Sequence, residues 1–150
     1  MKDYPWGKGT PRWVRDATAD DSDKSFTVPA GKVWKLISAE GELTTTATVG
    51  NRILNMSISN GAALVYSGKS TAIIAESKVG GMLFGPSVAP STGARPSFAA
   101  GTTNRDIEMD TQIPEFLLTA GYVIRVWDTA AIAAAADGLI VVLHYVEYDA

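Results

Sequence analysis

Within residues 52–60, the alternation of apolar and polar residues from Leu54 to Ser59 constrains the fold of this chain more than any other feature. Leu54, Met56 and Ile58 would fall on one side of an extended strand, while the residues between them are polar. Successive side chains of a strand point to opposite faces, so this period of two predicts a strand with one buried and one solvated face. That arrangement is typical of an antiparallel sheet.

Further β-type runs, separated by turn signals, extend the pattern over most of the chain. Residues 32–38 alternate like a strand that is buried on one face and partly on both, and Asn60-Gly61 predicts a tight hairpin turn. The predicted strands cover residues 26–28, 32–38, 52–60, 62–66, 71–75, 81–84, 122–127 and 139–148. About eight short strands without a βαβ pattern predict an all-β fold, an antiparallel β-sandwich of jelly-roll type.

Two stretches do not follow this pattern. Residues 80–104 are rich in Gly, Pro and Ser, and we interpret them mainly as a long surface loop. Residues 129–136 are rich in alanine and could form either a short helix or a strand that turns at Asp137-Gly138. The sequence does not distinguish these two alternatives.

The length and charge of the chain restrict its class and its partners. It has 150 residues, no cysteine and a formal net charge of −3. The length fits one domain, and without cysteine neither a disulfide framework nor a thiolate metal site can form. The net acidity argues against nucleic acid as a partner, and no apolar run approaches the ~20 residues that span a bilayer. The N-terminal residues lack the apolar segment of a secretory signal, so we expect no membrane translocation and no membrane partner.

Residues 1–24 differ in composition from residues 25–150, and we predict an extended N-terminal arm followed by a β-sandwich domain. Pro and Gly at positions 5, 7, 9 and 11 argue against regular structure in the first half of the arm. The same segment carries residue types that dominate binding hot spots. Either its tryptophans fold back and cap a sheet edge of their own domain, or they insert into a partner surface. The candidate partner-binding residues are Tyr4, Trp6, Lys8, Arg12, Trp13 and Arg15.

No residue pattern points to catalysis or to a bound metal. The single histidine, His144, lies within an apolar run, where we expect a structural role rather than that of a general base. The four aspartates of residues 16–23 do not follow the spacing of a calcium-binding loop, and we interpret them as a solvated hinge. We therefore expect no enzymatic activity, no cofactor and no metal, and a function in binding.

A weak internal repeat relates residues 26–37 (FTVPAGKVWKLI) to residues 116–127 (FLLTAGYVIRVW). Each copy reads as an aromatic residue, a short strand, an Ala-Gly turn and a second strand with a basic residue near its middle. Two copies do not make a solenoid. We interpret them as equivalent hairpins of a two-sheet sandwich.

Three segments resemble small virion proteins of tailed bacteriophages: residues 26–38 (FTVPAGKVWKLIS), 48–54 (TVGNRIL) and 113–126 (IPEFLLTAGYVIRV). From residue 25 to residue 148 the chain resembles jelly-roll cement or decoration proteins, which sit on icosahedral phage heads. The resemblance implies a non-enzymatic protein of the capsid surface, made in the host cytoplasm, that binds the major capsid protein and bridges its subunits. Related alternatives are head-fibre, tail or receptor-binding subunits. A carbohydrate-binding β-sandwich, with platform aromatics such as Trp34, Phe98 and Trp127, is an alternative from another class.

The resemblance also implies a homo-oligomer, most simply a trimer. Residues 130–136 are mostly alanine, which permits close approach of subunits. Most soluble oligomers are closed and symmetric, and a trimer suits a local threefold axis of a capsid.

Overall fold

The computed structural model describes residues 7–18, 23–70, 73–86, 91–93, 107–128 and 137–150. Within these residues every regular element is a β-strand. The same residues therefore include no helix of the length and apolar character that crossing a membrane requires. The strands are β1 (Thr10–Asp16), β2 (Asp23–Thr27), β3 (Lys32–Thr44), β4 (Leu54–Ser59), β5 (Leu64–Lys69), β6 (Val79–Gly85), β7 (Ser91–Gly93), β8 (Ile107–Gln112), β9 (Leu117–Thr119), β10 (Val123–Asp128) and β11 (Gly138–Asp149). The predicted all-β class is confirmed.

Seven strands form the larger sheet, in the order β1-β11-β3-β6-β8-β7 with β9 beside β3. Strand β3, with 13 residues, is long enough to pair with two strands along one edge, β9 near its beginning and β6 near its end. Its other edge pairs with β11. These pairings are antiparallel, except that β6 and β8 run parallel.

Four antiparallel strands form the smaller sheet, in the order β2-β10-β4-β5. Strand β4 contributes Leu54, Met56 and Ile58 to the interior, and each of these side chains is 0% exposed. Ser57, which lies between two of them, is partly exposed on the opposite face. The predicted burial of the three apolar side chains is confirmed, but Asn55, predicted on the solvated face, is itself buried at 5% exposure.

The apolar faces of the two sheets pack against each other and form one core. A fully buried Val, Leu, Ile, Phe or Met side chain contributes about 1.5 to 3 kcal/mol relative to an exposed one. The core residues are Phe26, Val28, Trp34, Leu36, Ala39, Leu43, Leu54, Met56, Ile58, Ile74, Met82, Phe84, Ile113, Leu118, Ile124, Val126, Leu139, Val141, Leu143 and Tyr145. The fold is the predicted β-sandwich, and among the described strands every pairing is antiparallel except that of β6 with β8.

Two turns carry the chain between the sheets at one end of the sandwich. Strands β2 and β10 belong to the smaller sheet, whereas β3 and β9 belong to the larger one. The turns contact each other through Val28, whose N–H donates to the Tyr122 carbonyl (2.9 Å) and whose carbonyl accepts from Gly121 (3.0 Å). Gly31 and Gly121 have φ angles of 72° and 86°, which glycine adopts without steric cost. The internal repeat therefore forms two sheet-to-sheet corners, and its interpretation as hairpins is wrong.

A buried ion pair holds the connection between β3 and β4 against the start of β11. Arg52 and Asp137 are both fully buried, and Arg52 Nε lies 2.9 Å from Asp137 Oδ2. Arg52 Nη1 also donates to the carbonyls of Thr48 (2.8 Å) and Gly50 (2.7 Å), and the Thr46 N–H donates to Asp137 (2.7 Å). Burial alone would raise the pKa of Asp137, but the hydrogen bonds from Arg52 and Thr46 outweigh it and lower that pKa.

Two predictions for the region after β4 need correction: the length of the hairpin connection, and the strand at residues 71–75. The hairpin exists, but its connection is residues 60–63, where Asn60 Oδ1 accepts from the N–H groups of Ala62 (3.1 Å) and Ala63 (2.8 Å). Ile74 forms only an isolated bridge with Arg52. The strand predicted for residues 71–75 is therefore wrong at residues 73–75, and residues 71–72 lie outside the described residues.

The stretch predicted as a long loop contains strands. Strand β6 covers the first residues of the stretch 80–104, in agreement with the strand predicted at residues 81–84. Strand β7 lies further along the same stretch. The loop interpretation is wrong for β7, whose residues pair with β8. The other parts of residues 80–104, apart from Pro86, lie outside the described residues, as do residues 129–136.

The predicted N-terminal arm is partly a strand of the sandwich. β1 pairs along its whole length with β11, and the predicted boundary between residues 24 and 25 falls inside β2. The expectation of no regular structure is therefore wrong for β1. Among the described strands β1 lies at the edge of its sheet, a position that tolerates Pro11 because one side of an edge strand needs no ladder hydrogen bonds. Residues 1–6 and 19–22 lie outside the described residues.

Candidate partner-binding surface

Strand β1 presents two different faces because its residues alternate across the sheet. Arg12 lies opposite Tyr145, a buried core residue. Trp13 lies opposite His144, which is exposed. Trp13 and Arg15 therefore lie on the outer face of the larger sheet, and Arg12 lies on the face turned towards the smaller sheet.

A row of exposed side chains crosses the first three strands of the outer face. The register places Trp13 opposite His144, and His144 opposite Ser38. It shifts between His144 and Tyr145, which leaves Ile37 as an extra residue on β3. Trp13 is 68% exposed and Ile37 44%. Directly opposite residues have Cβ atoms about 4.5–5.5 Å apart, so the row is continuous. We call Trp13, His144 and Ile37 the Trp13 surface.

The neighbouring row on the same face extends the Trp13 surface towards β9. It runs from Pro11 through Val146 and Lys35 to Leu117. Leu117 is 38% exposed, and Lys35 forms an ion pair with Glu115 at 3.0 Å. An apolar surface with a charged pair at its rim is the usual composition of a protein contact site.

Gly9 allows the chain to enter β1 close to β11. A Cβ atom at this position would lie 2.2 Å from Val146 Cγ1 and 2.5 Å from Tyr148 Cε1. The Tyr148 side chain, only 7% exposed as a residue, therefore occupies the space that a side chain at Gly9 would need. This contact fixes the start of β1, and with it the position of Trp13.

On the inner side of β1, at the rim of the sandwich, charged side chains surround Glu147. Arg12 and Lys32 each lie 3.8 Å from Glu147 Oε1, and Trp34 Nε1 donates to its other oxygen at 3.1 Å. A hydrogen bond from Lys32 to Asp149 (2.5 Å) raises the pKa of Lys32 and lowers that of Asp149. Arg12 thus has an acidic neighbour within its own chain.

The structure brings together part of the predicted site. Trp13 and Arg15 share the outer face, Arg12 lies on the other face, and Lys8 is exposed just before β1. Of the two alternatives for the arm, the structure shows the first for β1, which folds back onto a sheet edge of its own domain. The Trp13 side chain nevertheless stays exposed. The two remaining candidates, Tyr4 and Trp6, lie outside the described residues. Partner binding by these residues remains a prediction.

Sequence reasoning missed His144 and Ile37 as members of the surface. His144 was expected to have only a structural role, but the strand next to it is an edge strand, and the side chain is exposed. Ile37 is exposed beside the register shift, which no local pattern signals. The alternation carried a partial signal, because Ile37 follows Lys35 on the polar side of the predicted strand.

Of the aromatics named for a carbohydrate platform, Trp34 is buried and is not available as a platform residue. Trp34 is 6% exposed, and its ring stacks on Tyr145 with centroids 4.0 Å apart. Trp127 is half-buried, and the Arg125 guanidinium lies over its ring at 4.6 Å. Phe98 lies outside the described residues. Over the described part of the chain, no three or more His, Cys, Asp or Glu side chains group as metal ligands.

Comparisons with known proteins give only distant structural similarity. No protein-family model matches the chain, and no curated protein matches it. A chain of turnip yellow mosaic virus is similar with 9% identity and a TM-score of 0.37, covering 95% of this chain and 81% of that one. A chain of infectious bursal disease virus Gx strain is similar with 13% identity and a TM-score of 0.34, covering 95% of this chain and 42% of that one.

A third similar chain comes from the T13 particle of infectious bursal disease virus, with 12% identity, a TM-score of 0.32, and coverage of 91% of this chain and 38% of that one. This chain therefore spans less than half the length of the two bursal disease virus chains. Because all three TM-scores are low, the fold assignment rests on the strand pairing described above.

Proposed function

We propose that this chain is a non-enzymatic structural protein of a virion, which binds the outside of a bacteriophage capsid and stabilises it as a cement or decoration subunit. The proposal rests on the resemblance of residues 26–38, 48–54 and 113–126 to small phage virion proteins, together with the exposed Trp13 surface. Its partner would be the major capsid protein, and it would act on the virion surface as a homo-oligomer, most simply a trimer.

The observation that carries the proposal is the exposure of Trp13. This side chain is 68% exposed, whereas Trp34 is 6% exposed and packs in the core. Tryptophan is enriched at the centre of protein interfaces, where a few anchors supply most of the binding free energy. A large aromatic side chain held by strand pairing, rather than by a mobile segment, loses little conformational entropy on binding.

The surroundings of Trp13 define the chemistry of the expected partner site. The apolar neighbours Ile37 and Leu117 call for an apolar depression on the capsid, while Arg15 and Lys8 call for acidic groups around it. A well-buried Trp contributes on the order of 2 kcal/mol or more, and each exposed charge pair ~1 kcal/mol or less. Binding should therefore depend mainly on the aromatic anchor and resist moderate salt.

The experiment is co-sedimentation of the purified protein with particles that lack it. We expect the wild-type protein to bind in a fixed ratio to the major capsid protein, and Trp13→Ala to lower the affinity at least about thirtyfold, the equivalent of ~2 kcal/mol. The matched control is Val49→Ala, which removes another exposed apolar side chain (80% exposed) from the β3–β4 connection. This control should bind like the wild type.

Two results would contradict the proposal. If the wild-type protein does not co-sediment with particles at all, the virion role is wrong. If Trp13→Ala and Val49→Ala bind equally well, a virion role through the Trp13 surface is wrong, and the contact lies on another face.

A further inference from the structure

Strand β1 leaves an open edge on the larger sheet. Among the described strands it is the last one on its side, and it pairs with β11 alone. The side chains of residues 10–13 and of residue 15 are all exposed, so another chain has access to this edge. The unpaired backbone groups of an edge strand are a template for pairing with a further strand.

The smaller sheet stops short of this edge. Its outermost strand on that side, β2, lies against β11 of the larger sheet, so β1 extends about one strand beyond it. Arg12 accordingly points to the inner face, opposite Tyr145, yet its side chain is 56% exposed. If two copies were joined edge to edge at β1, their β2 strands would lie three strand spacings apart, roughly 14 Å. The smaller sheets of the two copies would therefore not overlap.

Of the antiparallel registers centred on residues 12–16, one matches the charges of two β1 strands. Directly opposite residues must share a face of the sheet, so the twofold axis passes beside a residue. An axis at Arg12, Arg15 or Asp16 sets like charges opposite each other, which is destabilising. An axis at Trp13 sets Arg12 opposite Val14. An axis at Val14 instead sets Arg12 opposite Asp16 of the second copy. It also sets Trp13 opposite Arg15 of the second copy, the pair of residue types that forms cation–π contacts.

The two side chains that would form the ion pair are not tied to strong partners in their own chain. Among the described residues Asp16 makes no ion pair, and its Oδ1 accepts a hydrogen bond from the Thr18 N–H (3.0 Å). Arg12 Nε lies 3.8 Å from Glu147, which is longer than a hydrogen bond. Glu147 has two further partners of its own, so it does not depend on Arg12.

We propose that β1 pairs antiparallel with β1 of a second copy about a twofold axis beside Val14, with Arg12 next to Asp16 of the second copy. The axis is perpendicular to the sheet, so the Trp13 surfaces of both copies lie on one continuous outer face. The contact is twofold and gives a dimer, and a trimer would need a separate surface. The inference goes beyond the proposed function and does not depend on it.

The backbone of β1 supports the same register. A proline in an edge strand turns the side that lacks the N–H towards the open edge. Alternate residues of an antiparallel strand direct their backbone groups to the same side, so Trp13 and Arg15 share the orientation of Pro11, and Val14 faces β11. The two Val14 residues of the dimer then form a non-hydrogen-bonded pair, with Cα atoms about 4.5 Å apart.

The absence of cysteine from the chain allows a direct test by disulfide trapping. In Val14→Cys the two thiols of the dimer would be directly opposite, within the Cα range for a disulfide. Thr10→Cys is the matched control on the same strand, because its two thiols would lie eight residues apart along the pair, roughly 27 Å. We expect oxidised Val14→Cys to give a covalent dimer and no larger species on a non-reducing gel, and Thr10→Cys to give monomers.

Charge reversal tests the proposed ion pairs without any cysteine. Asp16→Arg should raise the dissociation constant of the dimer at least about tenfold in sedimentation equilibrium, because two ion pairs are replaced by repulsion. Adding Arg12→Asp restores opposite charges and should return the constant to within about threefold of the wild type. Both positions lie on the inner face, so these variants leave the Trp13 surface intact and separate this inference from the virion role.

Several outcomes would overturn the proposal. If Thr10→Cys gives as much covalent dimer as Val14→Cys, trapping reports random collisions. A Val14→Cys protein that melts like the wild type and stays monomeric would show that the two strands do not meet. Because Val14 packs partly against the core, this variant could fail to fold, and the charge variants then decide. A wild type without dimers, or with the same dissociation constant as Asp16→Arg, would contradict the pairing. A wild type that forms trimers and no dimers would also contradict it, while leaving the proposed function standing.

Discussion

The buried ion pair between Arg52 and Asp137 predicts a large loss of stability when one partner is removed. Both side chains are fully buried, so Arg52→Met would leave the Asp137 carboxylate in the interior without its cation. It would also remove the donor that holds the carbonyls of Thr48 and Gly50. Breaking a buried pair in this way typically costs about 3 to 5 kcal/mol.

That cost is a large share of the total stability of a domain this size, which is about 5 to 15 kcal/mol. At roughly 2 to 4 °C per kcal/mol for a chain of about 150 residues, Tm should fall by about 6 to 20 °C. Urea unfolding followed by tryptophan fluorescence gives the free energy directly. In the double variant Arg52→Met/Asp137→Leu, which leaves no unpaired charge, we expect a smaller loss than in either single variant.

The Arg52–Asp137 ion pair also predicts how the free energy of unfolding changes with pH. The pKa of Asp137 is lowered in the folded protein from its ordinary value of 3.8, so its stabilising contribution is present above that value and is lost as pH falls through the folded pKa. Without Arg52 the folded pKa of Asp137 is higher than in the wild type, so the stability difference between wild type and Arg52→Met should narrow as pH falls from the folded pKa of the variant to the folded pKa of the wild type. A cost below about 1 kcal/mol at pH 7, or a difference that does not change with pH, would refute this reasoning.

Three further substitutions test the packing by urea unfolding. Trp13→Ser should change the unfolding free energy by no more than about 0.5 kcal/mol, because the side chain is mostly exposed; a loss above 2 kcal/mol would mean that Trp13 is part of the core. Gly9→Ala should cost about 1 to 3 kcal/mol, since the new Cβ would overlap the Tyr148 ring; a neutral result would show that β1 does not enter the sheet there. Phe84→Ala should cost about 3 to 5 kcal/mol, because Phe84 is 0% exposed in the core; a cost below 1 kcal/mol would contradict the sandwich.

The parts of the fold that sequence predicted were those with strong local signals. The alternation of Leu54, Met56 and Ile58 is a direct consequence of one buried face, and the structure buries all three. Strand β8 was missed because its sequence is largely polar and its parallel pairing with β6 comes from a distant part of the chain. The two Ala-Gly turns could be recognised as turns. The sequence does not tell a turn within one sheet from a corner between two sheets, because both use a glycine with a positive φ angle.

The candidate site was also predictable only in part, because residue types are visible in the local sequence but strand pairing is not. Trp13 and Arg15 stood out by residue type, but Pro11 and Gly9 suggested a segment without regular structure. Whether such a segment becomes an edge strand depends on the open edge of β11, which is a tertiary property. The exposure of His144 depends on the same edge, so its membership of the Trp13 surface could not follow from the local sequence.

The most direct test of the central claim is the accessibility of the Trp13 surface in the particle. His144→Cys places one thiol in the centre of this surface, and Val49→Cys places one on an exposed residue of the β3–β4 connection, in a chain that otherwise has none. In the isolated protein both thiols should react with a soluble maleimide at similar rates. On capsids, we predict that the thiol at position 144 is protected at least tenfold while the thiol at position 49 stays reactive. Equal reactivity of the thiol at position 144 in the bound and isolated protein would contradict the proposed function.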